Sequence, residues 1–99
     1  GGDVNPYLAV AGLVAACLDG IDRELILVEP LVGSAYDADV ERLPTTLRDA
    51  AALFERSVVA RRAFGDDMVD HYANNARVEI TAFDSAVTDW ERHRGFERL

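Results

Sequence analysis

Lysine is absent, so all ten basic side chains of the 99-residue chain are arginine. Against eighteen carboxylates they leave a formal net charge of −8. With no surplus of cations to release counterions from phosphates, nonspecific binding to nucleic acid is excluded. A single cysteine, Cys17, rules out an internal disulfide and a cysteine-based metal cluster, and it fits a reducing, cytoplasmic setting. The one apolar stretch around it is too short for a bilayer and carries Asp19 and Asp22 at one end, so no membrane partner is expected. The basic lead and small-residue cleavage site of a secretory signal are missing. So are a glycine-rich phosphate loop, a nucleophile elbow and a Ser/His/Asp order. There is no initiator methionine either, and the chain is expected to be cut from a longer one.

What is present reads as a folded helical segment. The hydrophobic fraction of 49% and charged fraction of 28% are ordinary for globular proteins, which argues against disorder throughout. A chain of this size buries only about 65% of its unfolded surface, so the core is expected to be small. The stretch Asn5 to Ile21, NPYLAVAGLVAACLDGI, is the only part apolar on every side, and such a helix is expected to be buried. Asn5 suits the cap, Pro6 the first helical position, and Gly20 a left-handed stop.

Residues 1–4 read as a loop with two glycines, and residues 22–45 as a second, long loop punctuated by Pro30, Gly33 and Pro44. The short apolar run Leu25 to Val28 has no decisive periodicity and is left irregular. Residues 46–64 are expected to form consecutive, angled helices, with Thr46 and Asp49 in a capping box and Ser57 as a fresh cap. Leu47, Ala50, Ala51, Leu53 and Phe54 make the first apolar face. The longest helix is expected over 66–87, capped by Asp66 or Asp67, with a seam of Val69, Ala73, Ala76, Ile80, Phe83 and Val87. It breaks near Ser85 to Val87, and Thr88 with Glu91 opens a separate tail, 88–99. The fold class is therefore all-α, about four helices in one segment.

The polar clusters have ordinary explanations. Asp66, Asp67, Asp70 and His71 include the i,i+4 spacing of helical metal sites, but acids at a helix start are favoured by the dipole, which is the preferred reading. Asp37, Asp39 and Glu41 alternate like a calcium loop, yet Arg42 and Arg48 stand where glycine and glutamate are required. His93 between Arg92 and Arg94 reads as solvated, and Arg61-Arg62 as surface pairing partners for nearby acids. No catalytic, cofactor-binding or metal-binding residue is assigned. Trp90 and Phe96, large aromatics in a charged tail, are candidates for docking on a partner surface.

Two stretches carry a resemblance. Asn5-Pro6-Tyr7-Leu8, followed by an alanine-rich helix ending Leu18-Asp19-Gly20-Ile21, resembles the segment just after the active-site arginines of the glutamine synthetase family. Val87-Thr88-Asp89-Trp90-Glu91-Arg92, with Phe96-Glu97-Arg98, is similar to the C-terminus of those relatives that join glutamate to polyamines or other amines; Gly95 departs from it, since an aromatic residue is usual there. The resemblance implies the C-terminal helical part of an α+β catalytic domain. Its parent would be an ATP-dependent ligase, using Mg or Mn, that joins ammonia or an amine to the γ-carboxylate of glutamate through γ-glutamyl phosphate. ATP and metal would be held outside this chain. Asn5, Pro6 and Tyr7 would back the active-site loop, and Trp90 and Phe96 would contact another subunit of a ring-shaped homo-oligomer. Tyr36 matches the tyrosine that some bacterial members adenylylate, although a partly buried loop anchor is the favoured reading. The alternatives are a γ-glutamylpolyamine synthetase within the family and, outside it, a non-catalytic helical oligomerisation or interaction module.

Overall fold

Helix caps written into the sequence set most of the boundaries. The computed structural model describes residues 3–36, 38–96 and 98, and among them five helices occur and no strand. The expected glycine loop at Gly1 and Gly2, Asp37 of the alternating acids, and Glu97 and Leu99 of the tail lie outside the described residues.

Helix α1 spans Pro6–Asp22. The Asn5 side chain accepts from the Tyr7 and Leu8 amides at 3.0 and 3.3 Å, and Pro6 takes the first position, where no amide is needed. At the other end the stop differs from expectation. The helix runs through Gly20, and the left-handed residue is Glu24, with φ 51°. The Glu24 amide donates to the Ile21 carbonyl and the Leu25 amide to the Gly20 carbonyl, both at 3.0 Å, which is the Schellman pattern. Gly20 instead leaves room for Leu25, whose Cδ1 would lie 3.9 Å from a Cβ added there.

Helix α2, Leu47–Glu55, starts from Thr46, whose Oγ1 accepts from the Asp49 amide at 3.1 Å. Helix α3, Val58–Phe64, starts from Ser57, whose Oγ accepts from the Ala60 amide at 3.1 Å. Gly65 ends α3 and also precedes α4, Asp66–Ser85; its φ of 82° is a conformation that a Cβ disfavours. It makes no side-chain cap, so neither Asp66 nor Asp67 caps α4; both lie inside its first turn, facing the positive end of the dipole. The separate piece expected after Thr88 opens as a helix. Asp89–Phe96 forms α5, after a break at Ala86.

Packing is led by α2 against α4, with α3 bridging α4 and α1. Arg48, near the start of α2, pairs with Asp84 near the end of α4 at 2.5 Å, while Glu55, at the end of α2, pairs with Arg77. The two helices therefore run antiparallel. Among the described residues only Val69 and Ala73 are buried. Ala76 and Ile80 are half-buried, but Phe83 and Val87 are exposed, so the seam expected over 69–87 is covered only in part. The first turn of α2 reaches the level of Phe83, but Leu47, Ile80 and Phe83 line an open concavity there, and Val87 lies beyond the end of α4.

The expectation that the first helix is buried fails for this chain. No residue of α1 is buried, and Val10, Leu13, Val14, Leu18 and Ile21 all face solvent, because α3 is the main helix against it. The radius of gyration is 18.3 Å, against about 13 Å for a compact chain of this length. The exposed surface of 8993 Å² likewise exceeds the roughly 5,500 Å² of a compact monomer of this mass. The apolar surface left open is too large for single, scattered side chains.

The 99-residue chain is accordingly expected to self-associate in solution. Sedimentation velocity tests this, and a sharp monomer at high concentration would contradict it. Replacing the half-buried α3 cap, Ser57→Ala, is expected to cost about 1 kcal/mol, read by chemical denaturation.

Candidate functional site

The residues singled out from the sequence fall at three separate places. At the first, the start of α1, Asn5 is spent on capping and Tyr7 is 86% exposed, so its ring faces solvent. The second is the long connection. Tyr36 is also 86% exposed, which corrects the expectation of a partly buried anchor. Its backbone is tethered instead: the amide donates to Ser34 Oγ at 3.3 Å, and the carbonyl accepts from Arg42 Nη2 at 3.0 Å.

The third place is α5. Trp90 and Phe96 remain 66% and 80% exposed, and the Arg94 guanidinium stacks over the Trp90 ring at 5.1 Å. The i,i+4 spacing brings that pair together. The start of the helix is closed by a full capping box. Thr88 donates from its amide and its hydroxyl to Glu91 Oε2, both at 2.8 Å, and Thr88 Oγ1 accepts from the Glu91 amide at 3.2 Å. The backbone donor, then the hydroxyl, hold the Glu91 carboxyl below its ordinary value. No hydrogen bond or ion pair among the described residues joins any two of the three places.

The arginine pair behaves as surface pairing partners, but with a structural consequence that its spacing did not reveal. Arg61 donates from Nε to the Glu55 carbonyl at 2.9 Å, from Nη1 to Asp66 at 2.7 Å and from Nη2 to Asp70 at 2.8 Å. One planar fork thus ties the end of α2 and the start of α4 to α3. Hydrogen bonds to Asp66, then Asp70, push the Arg61 guanidinium above its ordinary pKa, so it stays charged at every practical pH. Arg62 reaches the other way, to Asp19 of α1 at 3.2 Å.

The Asp66, Asp67, Asp70, His71 cluster is organised by this fork. Arg61 engages two of its carboxylates, and His71 lies edge-on to Tyr72 with ring centres 5.5 Å apart. Among the described residues no three His, Cys, Asp or Glu side chains are placed to hold a metal ion. No helix of the described residues is long and apolar enough to cross a membrane.

One concavity is built from several helices. Leu8 of α1, Leu47 and Phe54 of α2, Phe64 of α3, and Met68 and Tyr72 of α4 enclose an apolar groove of about 420 Å³. Sequence periodicity had placed Leu47 and Phe54 on one face, but nothing local pairs them with Leu8 or Phe64. Its polar lining residues, Asn75 and Glu79, both come from α4, and the rest of the wall is mainly apolar, so the groove suits packing rather than chemistry.

The family model described as glutamine synthetase, catalytic domain, matches residues 1–95. A γ-glutamylethanolamide synthetase of Streptomyces coelicolor is 65% identical over 99 residues, covering 100% of this chain and 21% of the relative. A type-1 glutamine synthetase of Dictyostelium discoideum is 37% identical over 102 residues, covering 98% of the chain and 20% of the relative. A glutamate–isopropylamine ligase of a Pseudomonas species is 37% identical over 97 residues, covering 95% and 21%. The chain spans about a fifth of the length of these curated relatives.

Because Glu91 is held below its ordinary value of 4.5, its stabilisation of α5 is complete above that pH and is lost as the pH falls through the lowered one. Fluorescence of Trp90, the only tryptophan, is expected to report this as an acid transition that Glu91→Gln abolishes. A transition unchanged in the Gln variant would assign it to other carboxylates.

Proposed function

Because this chain belongs to the glutamine synthetase catalytic-domain family, we propose that it is the C-terminal helical part of a carbon–nitrogen ligase that joins an amine to the γ-carboxylate of glutamate. The reaction runs at the expense of ATP through γ-glutamyl phosphate. The observation that carries the choice of an amine over ammonia is the 65% identity, over the whole chain, to a protein named for making γ-glutamylethanolamide. The 37% identity to a glutamate–isopropylamine ligase points the same way, and the equal identity to a glutamine synthetase keeps ammonia as the second reading.

ATP and a divalent metal, Mg or Mn, are cofactors of the parent enzyme. Among the described residues no three His, Cys, Asp or Glu side chains are placed to hold a metal ion, and no chemical step is assigned to them. Their role is support. The Asn5 cap and Pro6 fix the first turn of α1, and with Tyr7 they back the active-site loop. The exposed apolar sides of α1 pack on the rest of the catalytic domain. Trp90 and Phe96, presented on α5, contact a neighbouring subunit in a ring-shaped homo-oligomer. The lone cysteine favours a cytoplasmic location. Tyr36, with its ring in solvent and its backbone tethered by Arg42, is accessible to modification, and its adenylylation is the regulatory reading that mass spectrometry of the parent tests.

The parent enzyme is expected to release phosphate from ATP when given glutamate with ethanolamine or isopropylamine, with a kcat/KM at least tenfold above that with ammonia. Ammonia as the best substrate would replace the amine reading by the glutamine synthetase one. The 99-residue chain alone is expected to show no ATP-dependent γ-glutamyl transfer in the same assay. Measurable turnover by it would overturn the supporting role.

A further inference from the structure

Asp19 is a residue in the wrong place by local rules. It sits in the last turn of α1, where the helix dipole is negative and a carboxylate is disfavoured, and that turn holds no basic residue. The i,i+4 pair with Arg23 offsets that locally, but it does not account for how far the side chain is covered. In the structure the Asp19 side chain is 11% exposed, whereas the acids of the other ion pairs among the described residues are 43% exposed or more.

Both carboxylate oxygens are used, from two directions. Oδ2 accepts from Arg23 Nη1 at 3.2 Å, within the end of the same helix, and Oδ1 accepts from Arg62 Nη1 of α3 at 3.2 Å. Arg23 orients the carboxylate, and Arg62 connects it to a residue 43 positions away. The rest of the α1–α3 contact is apolar and forgiving. A Cβ added at Gly12 would meet Phe64 Cζ at 3.8 Å, an ordinary van der Waals contact with no preferred direction. Among the described residues the hydrogen-bonded link between the two helices is the Asp19–Arg62 pair. Arg61, next in sequence, locks α3 to α2 and α4, so the position of α1 is referred to the whole helical layer.

We propose that Asp19 and Arg62 are positioning residues for the substrate site of the parent ligase: they fix the rotation and height of α1, and through its Asn5-capped first turn the loop that α1 backs. The inference rests on the support role given to Asn5, Pro6 and Tyr7. Neither residue touches substrate. The pair acts by setting where the first turn of α1 stands, so its loss changes substrate affinity more than turnover.

The test is made on the full-length parent with Arg62→Ala, Arg62→Lys, Asp19→Ala and, as a control, Val58→Ala, which is exposed on the same helix. Kinetics are measured with ATP, glutamate and ethanolamine, beside the thermal midpoint of each variant. Arg62→Ala and Asp19→Ala are expected to raise KM for glutamate or ethanolamine about three- to tenfold, with kcat within about twofold, since a one-unit change in log KM is about 1.4 kcal/mol. Arg62→Lys, which keeps one donor for Oδ1, is expected to restore most of the affinity, and Val58→Ala to leave KM unchanged. An active parent whose KM values do not move in Arg62→Ala and Asp19→Ala would overturn the positioning role alone. So would a loss that Arg62→Lys fails to restore. A wild-type parent inactive with ethanolamine, isopropylamine and ammonia would overturn the ligase reading, and the positioning role with it.

Discussion

The helical layer depends on the fork of Arg61. Its three donors meet the carbonyl that ends α2 and two carboxylates of the first two turns of α4, so one side chain closes the corner where three helices meet. An open helix end leaves carbonyls without partners, and a cluster of acids repels itself. The guanidinium answers both at once. Only an arginine has the planar set of donors to do so, and in a chain without lysine every such contact is made by one.

Around that corner the energetics are those of a layer rather than a domain. Val69 and Ala73 are buried against α2 and its neighbours, and the remaining apolar residues line open grooves or face solvent. Hydrophobic burial is the main favourable term in folding, and a chain that leaves α1 open forgoes much of it. Polar contacts hold the arrangement in register instead: Arg48 with Asp84, Glu55 with Arg77, and Asp19 with Arg62. Exposed ion pairs contribute little each, so they set geometry more than stability. A surface of this kind fits a segment that packs against further protein, which agrees with its match to a fifth of much longer relatives.

The family was legible because two short stretches carry it, Asn5-Pro6-Tyr7-Leu8 near the front and Val87 to Arg92 near the end. The chemistry was not, since neither stretch holds a nucleophile, a metal ligand or a phosphate cradle. An amine in place of ammonia is suggested by the likeness of Val87 to Arg92 to amine-joining relatives, and the 65% identity over the whole chain to a protein named for γ-glutamylethanolamide points the same way.

What the sequence alone determined are the features made by neighbours. Asn5 with Tyr7 and Leu8, Thr46 with Asp49, Ser57 with Ala60 and Thr88 with Glu91 are all closed within three residues, so the residue types suffice to place the helix starts. Local signals failed where a second geometry competed: Gly20 was displaced as the stop by a Schellman turn centred on Glu24, and Asp66 was drawn from capping into the reach of Arg61. Only the tertiary structure decided that α2 runs antiparallel to α4, that Asp19 reaches Arg62, and that the most apolar helix is covered on one side only. The physical reason is distance along the chain. A cap is fixed by backbone geometry over one turn, but a contact across 36 or 43 residues depends on how every intervening helix packs. Burial depends further on surfaces that a helix cannot encode by itself.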